Sequence, residues 1–224
     1  MYSTFAKEIK TKETTLKFLD SIHLTKVEPS LELLERWGFL KEDNSLTDLG
    51  VLGSEINEGQ PILMARAFQE GVWKGMTQEE FVEFLAAFLQ DGKEEEPSPS
   101  DLDLSPTLRD ALNFVDMIAF QCQKDQDAQQ VVLGKKGFWD LRTGMIDPVR
   151  RWMEEEDIAV ICQEYGLYEG NFLRSILKVA NMVEEWISLA TFTKSIELLR
   201  LLEGLKEKLV RDIAKPESLY LTLD

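Results

Sequence analysis

Four polar residues, Arg174, Lys178, Asn181 and Glu185, recur at i, i+4, i+7 and i+11 in a stretch whose apolar residues also follow helical spacing. At 3.6 residues per turn they fall within about 60° of one another around a helix. Two cations, an amide and a carboxylate in one stripe can make phosphate and base-edge hydrogen bonds to a single nucleic-acid strand. An ordinary solvated helix face is the other reading of the same pattern. The densest run of carboxylates, Glu154-Glu155-Glu156-Asp157, reads as the acidic first turn of a helix or as a solvated face. A di-metal carboxylate site would need Glu-x-x-His pairs, and none occurs. His23 has no cysteine or second histidine near it, so no zinc ligand set forms. Cys122 and Cys162 sit among apolar residues and read as two buried thiols. The sequence has no GxxxxGK[ST], no DExH or DEAD box, no GxGxxG and no GxSxG. The expectation is a chain with no catalytic residues, no metal and no cofactor of its own.

Composition narrows the partners. The 224 residues carry a formal net charge of −16. Non-specific nucleic-acid binding runs on lysines and arginines neutralising phosphates, so a role that rests on phosphate attraction alone is excluded. Contact with a nucleic acid must be local, or shared with a basic partner. No run of about 18 apolar residues is present, and the first residues lack a basic-then-apolar leader pattern. The expected location is intracellular, with no membrane association.

The elements that must position these residues all read as helices. A short helix is expected around Phe5 to Ile22, and another at 31–40 stopped by Gly38. Ser45-Leu46-Thr47 opens a helix from Asp48 to Asn57, and Pro61 suits the first turn of the next. Thr77-Gln78-Glu79-Glu80 is a capping box ahead of Phe81, Phe84, Leu85, Phe88 and Leu89, the spacing of a buried helix face. Residues 91–104, with Glu94-Glu95-Glu96-Pro97-Ser98-Pro99, read as an acidic surface loop. Ser105-Pro106 starts a helix of about five turns. Pro148 to Glu164 gives one helix or two, Phe172 to Ala190 a long one, and Ser195 to Ile213 a last one, with an extended Leu219-Tyr220-Leu221 after it. No segment alternates apolar and polar residues for long enough to make a good strand. The fold class is all-α: an irregular bundle of about seven to nine helices with a small N-terminal helical appendage.

Several short motifs occur in order along this helical frame. Leu33-Leu34-Glu35-Arg36-Trp37-Gly38-Phe39 is followed by Leu46-Thr47-Asp48-Leu49-Gly50 and Ser54-Glu55-Ile56. Then come Phe68-Gln69-Glu70-Gly71-Val72-Trp73 and Met76-Thr77-Gln78-Glu79-Glu80. Asp157-Ile158-Ala159-Val160-Ile161-Cys162 precedes Leu167-Tyr168-Glu169-Gly170-Asn171-Phe172-Leu173-Arg174, and Arg211-Asp212-Ile213 with Ser218-Leu219-Tyr220-Leu221 closes the series. Together they resemble the DSHCT domain, the C-terminal helical domain of superkiller-type DExH-box RNA helicases that feed RNA to the exosome. The resemblance covers roughly residues 31–221. It implies two regions, an N-terminal appendage at 1–30 and a DSHCT-like domain at 31–224 that contains the acidic loop at 91–104.

By that resemblance, the domain lines the RNA exit path of a helicase motor and contacts single-stranded RNA. Glu55 falls where the family places a carboxylate near the bases, and Lys178 where it places a basic residue. Arg174 and Asn181 join them on the stripe. The implied partners are single-stranded RNA and a DExH-box motor, which alone would bind ATP and Mg. Val51 departs from the arginine usual after the glycine at Gly50 and removes one positive contact. Two other readings compete. One is a protein-interaction module that kept the fold without RNA binding. The other is a helix-turn-helix regulator built from 157–164 and 170–184, which offers only Arg174 and Lys178 near the start of its second helix.

Overall fold

Helical periodicity governs the whole computed structural model, which describes residues 9–17, 27–89 and 101–211. A helical stretch at 9–17 (α1) is followed by α2 (Glu28–Arg36), α3 (Asp48–Ser54), α4 (Pro61–Glu70), α5 (Gln78–Ala86) and α6 (Pro106–Ala128). After these come α7 (Ile146–Met153), α8 (Ile158–Tyr165), α9 (Glu169–Phe192), α10 (Ile196–Leu202) and α11 (Leu205–Leu209). No strand occurs among the described residues, where Leu40 and Leu46 form an isolated bridge. The all-helical expectation stands, with a small N-terminal helical part. His23, most of the acidic loop at 91–104, and the tail with Leu219–Leu221 lie outside the described residues.

The chain divides into two compact units. The first comprises residues 1–51 and 119–139, and the second 52–118 and 140–224. In the first, Pro29 stands in the opening turn of α2, where its missing N–H costs nothing. Gly38 ends the helix at φ 79°, a conformation open to glycine, and the chain reverses as Phe39 N–H donates to Leu34 O at 2.8 Å. Thr47 then accepts from Gly50 N–H at 3.0 Å and donates its hydroxyl to Gly38 O at 2.6 Å. A Cβ at Gly50 would stand 2.1 Å from Phe39 O, so only glycine lets α3 pack against this reversal. Two tryptophans meet edge to face: the rings of Trp37 and Trp139 are 5.4 Å apart at 86°. Their indole N–H groups donate to Asp125 (2.9 Å) and Gln126 (2.8 Å) in the last turns of α6.

The second unit is built on α9. Trp186 is fully buried, with Phe68, Phe81 and Phe84 around it at ring distances of 5.4, 5.1 and 6.2 Å. The capping box at the start of α5 forms as its sequence predicts. Glu80 N–H donates to the Thr77 hydroxyl, and Thr77 N–H donates to the Glu80 carboxylate. Ser105 likewise caps α6, accepting from Leu108 N–H at 3.1 Å. Arg150 on α7 ties three segments together. It donates to Glu83 on α5 (2.7 Å), to Asp147 (2.9 Å) and to the Asp103 carbonyl (2.8 Å). Burial pushes the Glu83 carboxyl up, and the Arg150 guanidinium pulls it back in part.

Several boundaries differ from the sequence reading, and three of them have a direct physical reason. The stretch expected as one helix from Ser195 to Ile213 is two, because Gly204 takes φ 69° and bends the chain. The bend lets Leu198 and Leu202 of α10 and Leu205 and Leu209 of α11 all stay buried. Gln78 completes it by donating to the carbonyls of Leu201 (2.9 Å) and Glu203 (2.8 Å), which α10 leaves open. The acidic run at 154–157 occupies the connection between α7 and α8 and not a first helical turn, and Glu154, Glu155 and Asp157 are exposed, in line with the solvated reading. Its last member, Asp157, caps α8 by accepting from Ala159 N–H at 2.8 Å. The third boundary, the early end of α3 at Ser54, belongs to the candidate site.

Candidate nucleic-acid interface

Helix α9 is 24 residues long, and its inward face is continuous: Phe172, Ile176, Val179, Val183 and Trp186 are all buried. A helix held along its whole length presents its outer face as a rigid surface. That face carries Asn171, Arg174 and Asn181 exposed, with Lys178 and Glu185 half-buried. The stripe read from spacing is therefore one surface of one element, about 16 Å from Arg174 to Glu185 at 1.5 Å per residue. Apolar groups flank it. Tyr168, at the N-cap of α9, is 81% exposed and Leu177 is 41% exposed. An exposed tyrosine ring offers any base a stacking face.

Glu55 comes from a different element. It is exposed and stands immediately after Ser54, the last residue of α3. The helix expected to run to Asn57 ends here because the backbone beyond it has another partner. The carboxylate of Glu185 accepts from Asn57 N–H at 3.0 Å and from Glu58 N–H at 3.2 and 3.3 Å. An acceptor 128 residues away thus takes donors that a longer α3 would have used. Gly59 follows at φ 76°, and the chain then enters α4 at Pro61. Burial pushes the Glu185 carboxyl up, and the Asn57 and Glu58 N–H groups pull it back in part.

This carboxylate is the residue whose role spacing does not reveal. In the sequence it is the fourth member of a polar stripe. In the fold it is an anchor that fastens the segment just after Glu55 to the end of that stripe. One signal points to it: Asn57-Glu58-Gly59-Gln60-Pro61 interrupts the helices and leaves backbone donors in need of a partner. The fold also separates the roles of two motif glycines. Gly50 is required by packing, as described. A Cβ at Gly170 would meet nothing within 4 Å, so packing among the described residues does not demand that glycine. Its place in the first turn of α9 costs helix stability of about 1 kcal/mol relative to alanine.

No cluster of three or more metal-ligating side chains occurs among the described residues, and no described helix is long and apolar enough to cross a membrane. Cys122 and Cys162 are buried, and neither forms a disulfide among the described residues.

Comparison with known proteins gives this geometry a setting. The family model described as the DSHCT (NUC185) domain matches residues 43–215. The chain is similar to "mRNA transport homolog 4" of Caenorhabditis elegans, 22% identical over 217 residues. It is also similar to the DExH-box ATP-dependent RNA helicase DExH9 of Arabidopsis thaliana, 24% identical over 220 residues. To the ATP-dependent RNA helicase mtr4 of Schizosaccharomyces pombe it is 22% identical over 217 residues. Each alignment takes in 96% of this chain but only 21%, 21% and 19% of the respective relative. The chain therefore spans about a fifth of the length of these curated relatives.

Proposed function

The chain belongs to the DSHCT (NUC185) domain family, and on that premise we propose that it is a non-catalytic domain that lines the RNA exit path of a DExH-box helicase motor. The observation that carries this reading is the Glu185 anchor. It holds the backbone next to Glu55 against the helix that bears Arg174, Lys178 and Asn181. Two regions far apart in sequence, each with a residue that the family resemblance assigns to RNA, are thus joined by a direct contact. The exposed Tyr168 and the bare backbone at Gly170 add a stacking face and an open approach at the start of α9.

The domain's work in this reading is geometric. The motor supplies ATP hydrolysis, Mg binding and the force that moves the strand. The rigid stripe on α9 touches phosphates through Arg174 and Lys178 and base edges through Asn181 and Glu55. With a net charge of −16, the chain gains little from long-range attraction, so the basic surface that draws the strand in belongs to the motor.

The direct test is binding of a fluorescent oligouridylate to the chain together with a DExH-box motor from the same source, titrated against salt. Replacing Arg174 and Lys178 by alanine is expected to weaken binding and to lower the salt slope by about 0.7 for each phosphate no longer neutralised. Unchanged affinity and slope in the double variant would remove the RNA role. A protein-interaction module that kept the fold without RNA binding is the second reading, favoured by the same charge and by Val51 in place of the family's arginine. A stable complex with a motor but no change in its RNA affinity would select it.

A further inference from the structure

A cleft of about 340 Å³ lies along α6, well away in sequence from the residues of the α9 stripe. Its floor is aliphatic, with Leu104, Leu112 and Ile146 all buried. Its rim carries Arg109, Asn113 and Asp116, three side chains at i, i+4 and i+7 on one face of α6. None of the three makes a side-chain hydrogen bond or ion pair among the described residues. Concave sites with an apolar floor and a few convergent polar groups are the usual form of binding pockets.

We propose that this cleft binds an extended peptide segment of a partner protein, with an acidic residue opposite Arg109, a basic residue opposite Asp116, and an aliphatic side chain on the floor between them. The spacing follows from helix and strand geometry. Seven residues along α6 place Arg109 and Asp116 about 10 Å apart. In an extended chain every second side chain faces the same way, so the first, third and fifth residues, about 13 Å end to end, put two long charged side chains and one aliphatic side chain on the cleft. The ligand pattern is therefore acidic, x, aliphatic, x, basic, or its reverse, with the x positions turned to solvent. Opposite charges at the two ends fix the register, and the floor supplies apolar burial. A nucleic-acid strand fits poorly, because Asp116 repels phosphate and no aromatic ring lines the cleft for a base to stack on. The chain's own segment 90–100 offers two prolines and no aliphatic or aromatic side chain to fill the floor. The proposal does not depend on the RNA reading.

The test uses the full chain with 13C-labelled isoleucine and leucine methyls, titrated with acetyl-Glu-Ser-Leu-Ser-Lys-amide and followed by NMR. Saturable shifts at the Ile146 and Leu112 methyls are expected. In Arg109→Glu the same peptide is expected to bind about fivefold more weakly, while acetyl-Lys-Ser-Leu-Ser-Lys-amide gains by a similar factor. Asp116→Lys is expected to show the mirror preference, for acetyl-Glu-Ser-Leu-Ser-Glu-amide. Methyls that do not move, or binding indifferent to both charge reversals, would overturn the proposal. So would the same methyls shifting with oligouridylate, or on replacing 91–100 with a Gly/Ser segment of equal length.

Discussion

The two compact units are specified in different ways, and their tryptophans show it. In the first unit, Trp37 and Trp139 both place their indole N–H groups on side-chain acceptors of α6, Asp125 and Gln126. In the second, Trp152 donates to a backbone carbonyl, that of Leu209 (2.9 Å), while Trp73 and Trp186 are buried with their N–H groups unpartnered, Trp186 within a cluster of aromatic rings. The first unit joins two segments about 70 residues apart, and directional side-chain hydrogen bonds help select the pairing. The second has a large core in which burial outweighs the cost of an unmade indole bond. A functional surface is better carried by the second kind of region, where a whole helix is clamped along one side.

The largest blow to this contrast comes from the core. Trp186→Ala empties the space shared with Phe68, Phe81 and Phe84 and is expected to cost about 3–5 kcal/mol, measured by urea unfolding. A loss under about 1 kcal/mol would mean that the aromatic cluster is not what organises the second unit. Next comes Asp125→Ala, which removes the acceptor of the Trp37 indole N–H. The expected cost is about 1–2 kcal/mol, with faster amide exchange confined to the first unit. Exchange that rises equally in α9 would show that the two units do not differ in this way.

The smallest effect tests the anchor. Burial holds the folded-state pKa of Glu185 above its unfolded value. Its contribution is then fully present below the unfolded value, about pH 4.3, and is lost as pH rises through the raised folded value. The stability of the wild type minus that of Glu185→Gln is therefore expected to fall as pH rises across that window. A difference that grows with pH would show that the two backbone N–H bonds outweigh burial, and would make the anchor stronger than its environment suggests.

Much of the fold is legible in the sequence because its signals are local. The Thr77–Glu80 capping box, the Ser105–Pro106 start and the reversal at Gly38 each act within three or four residues, so spacing alone locates them. The break at Gly204 escapes such a reading because Leu198, Leu202, Leu205 and Leu209 keep an apolar stripe that runs straight through it. The last turns of α6 escape it as well. Lys124 to Ala128 is polar, and Asp125 and Gln126 are drawn into the fold by tryptophans at 37 and 139.

The sequence by itself determined the helical class, the buried and exposed sides of α9, and the family that its ordered motifs resemble. All of these follow from periodicity and from interactions a few residues long. Tertiary structure alone decided that Glu185 serves as an anchor, that α3 stops short so that Asn57 and Glu58 can meet it, and that Arg109, Asn113 and Asp116 border a cleft. Those outcomes depend on groups tens to more than a hundred residues apart, whose meeting is set by how the apolar faces pack and leaves no periodic trace in the chain.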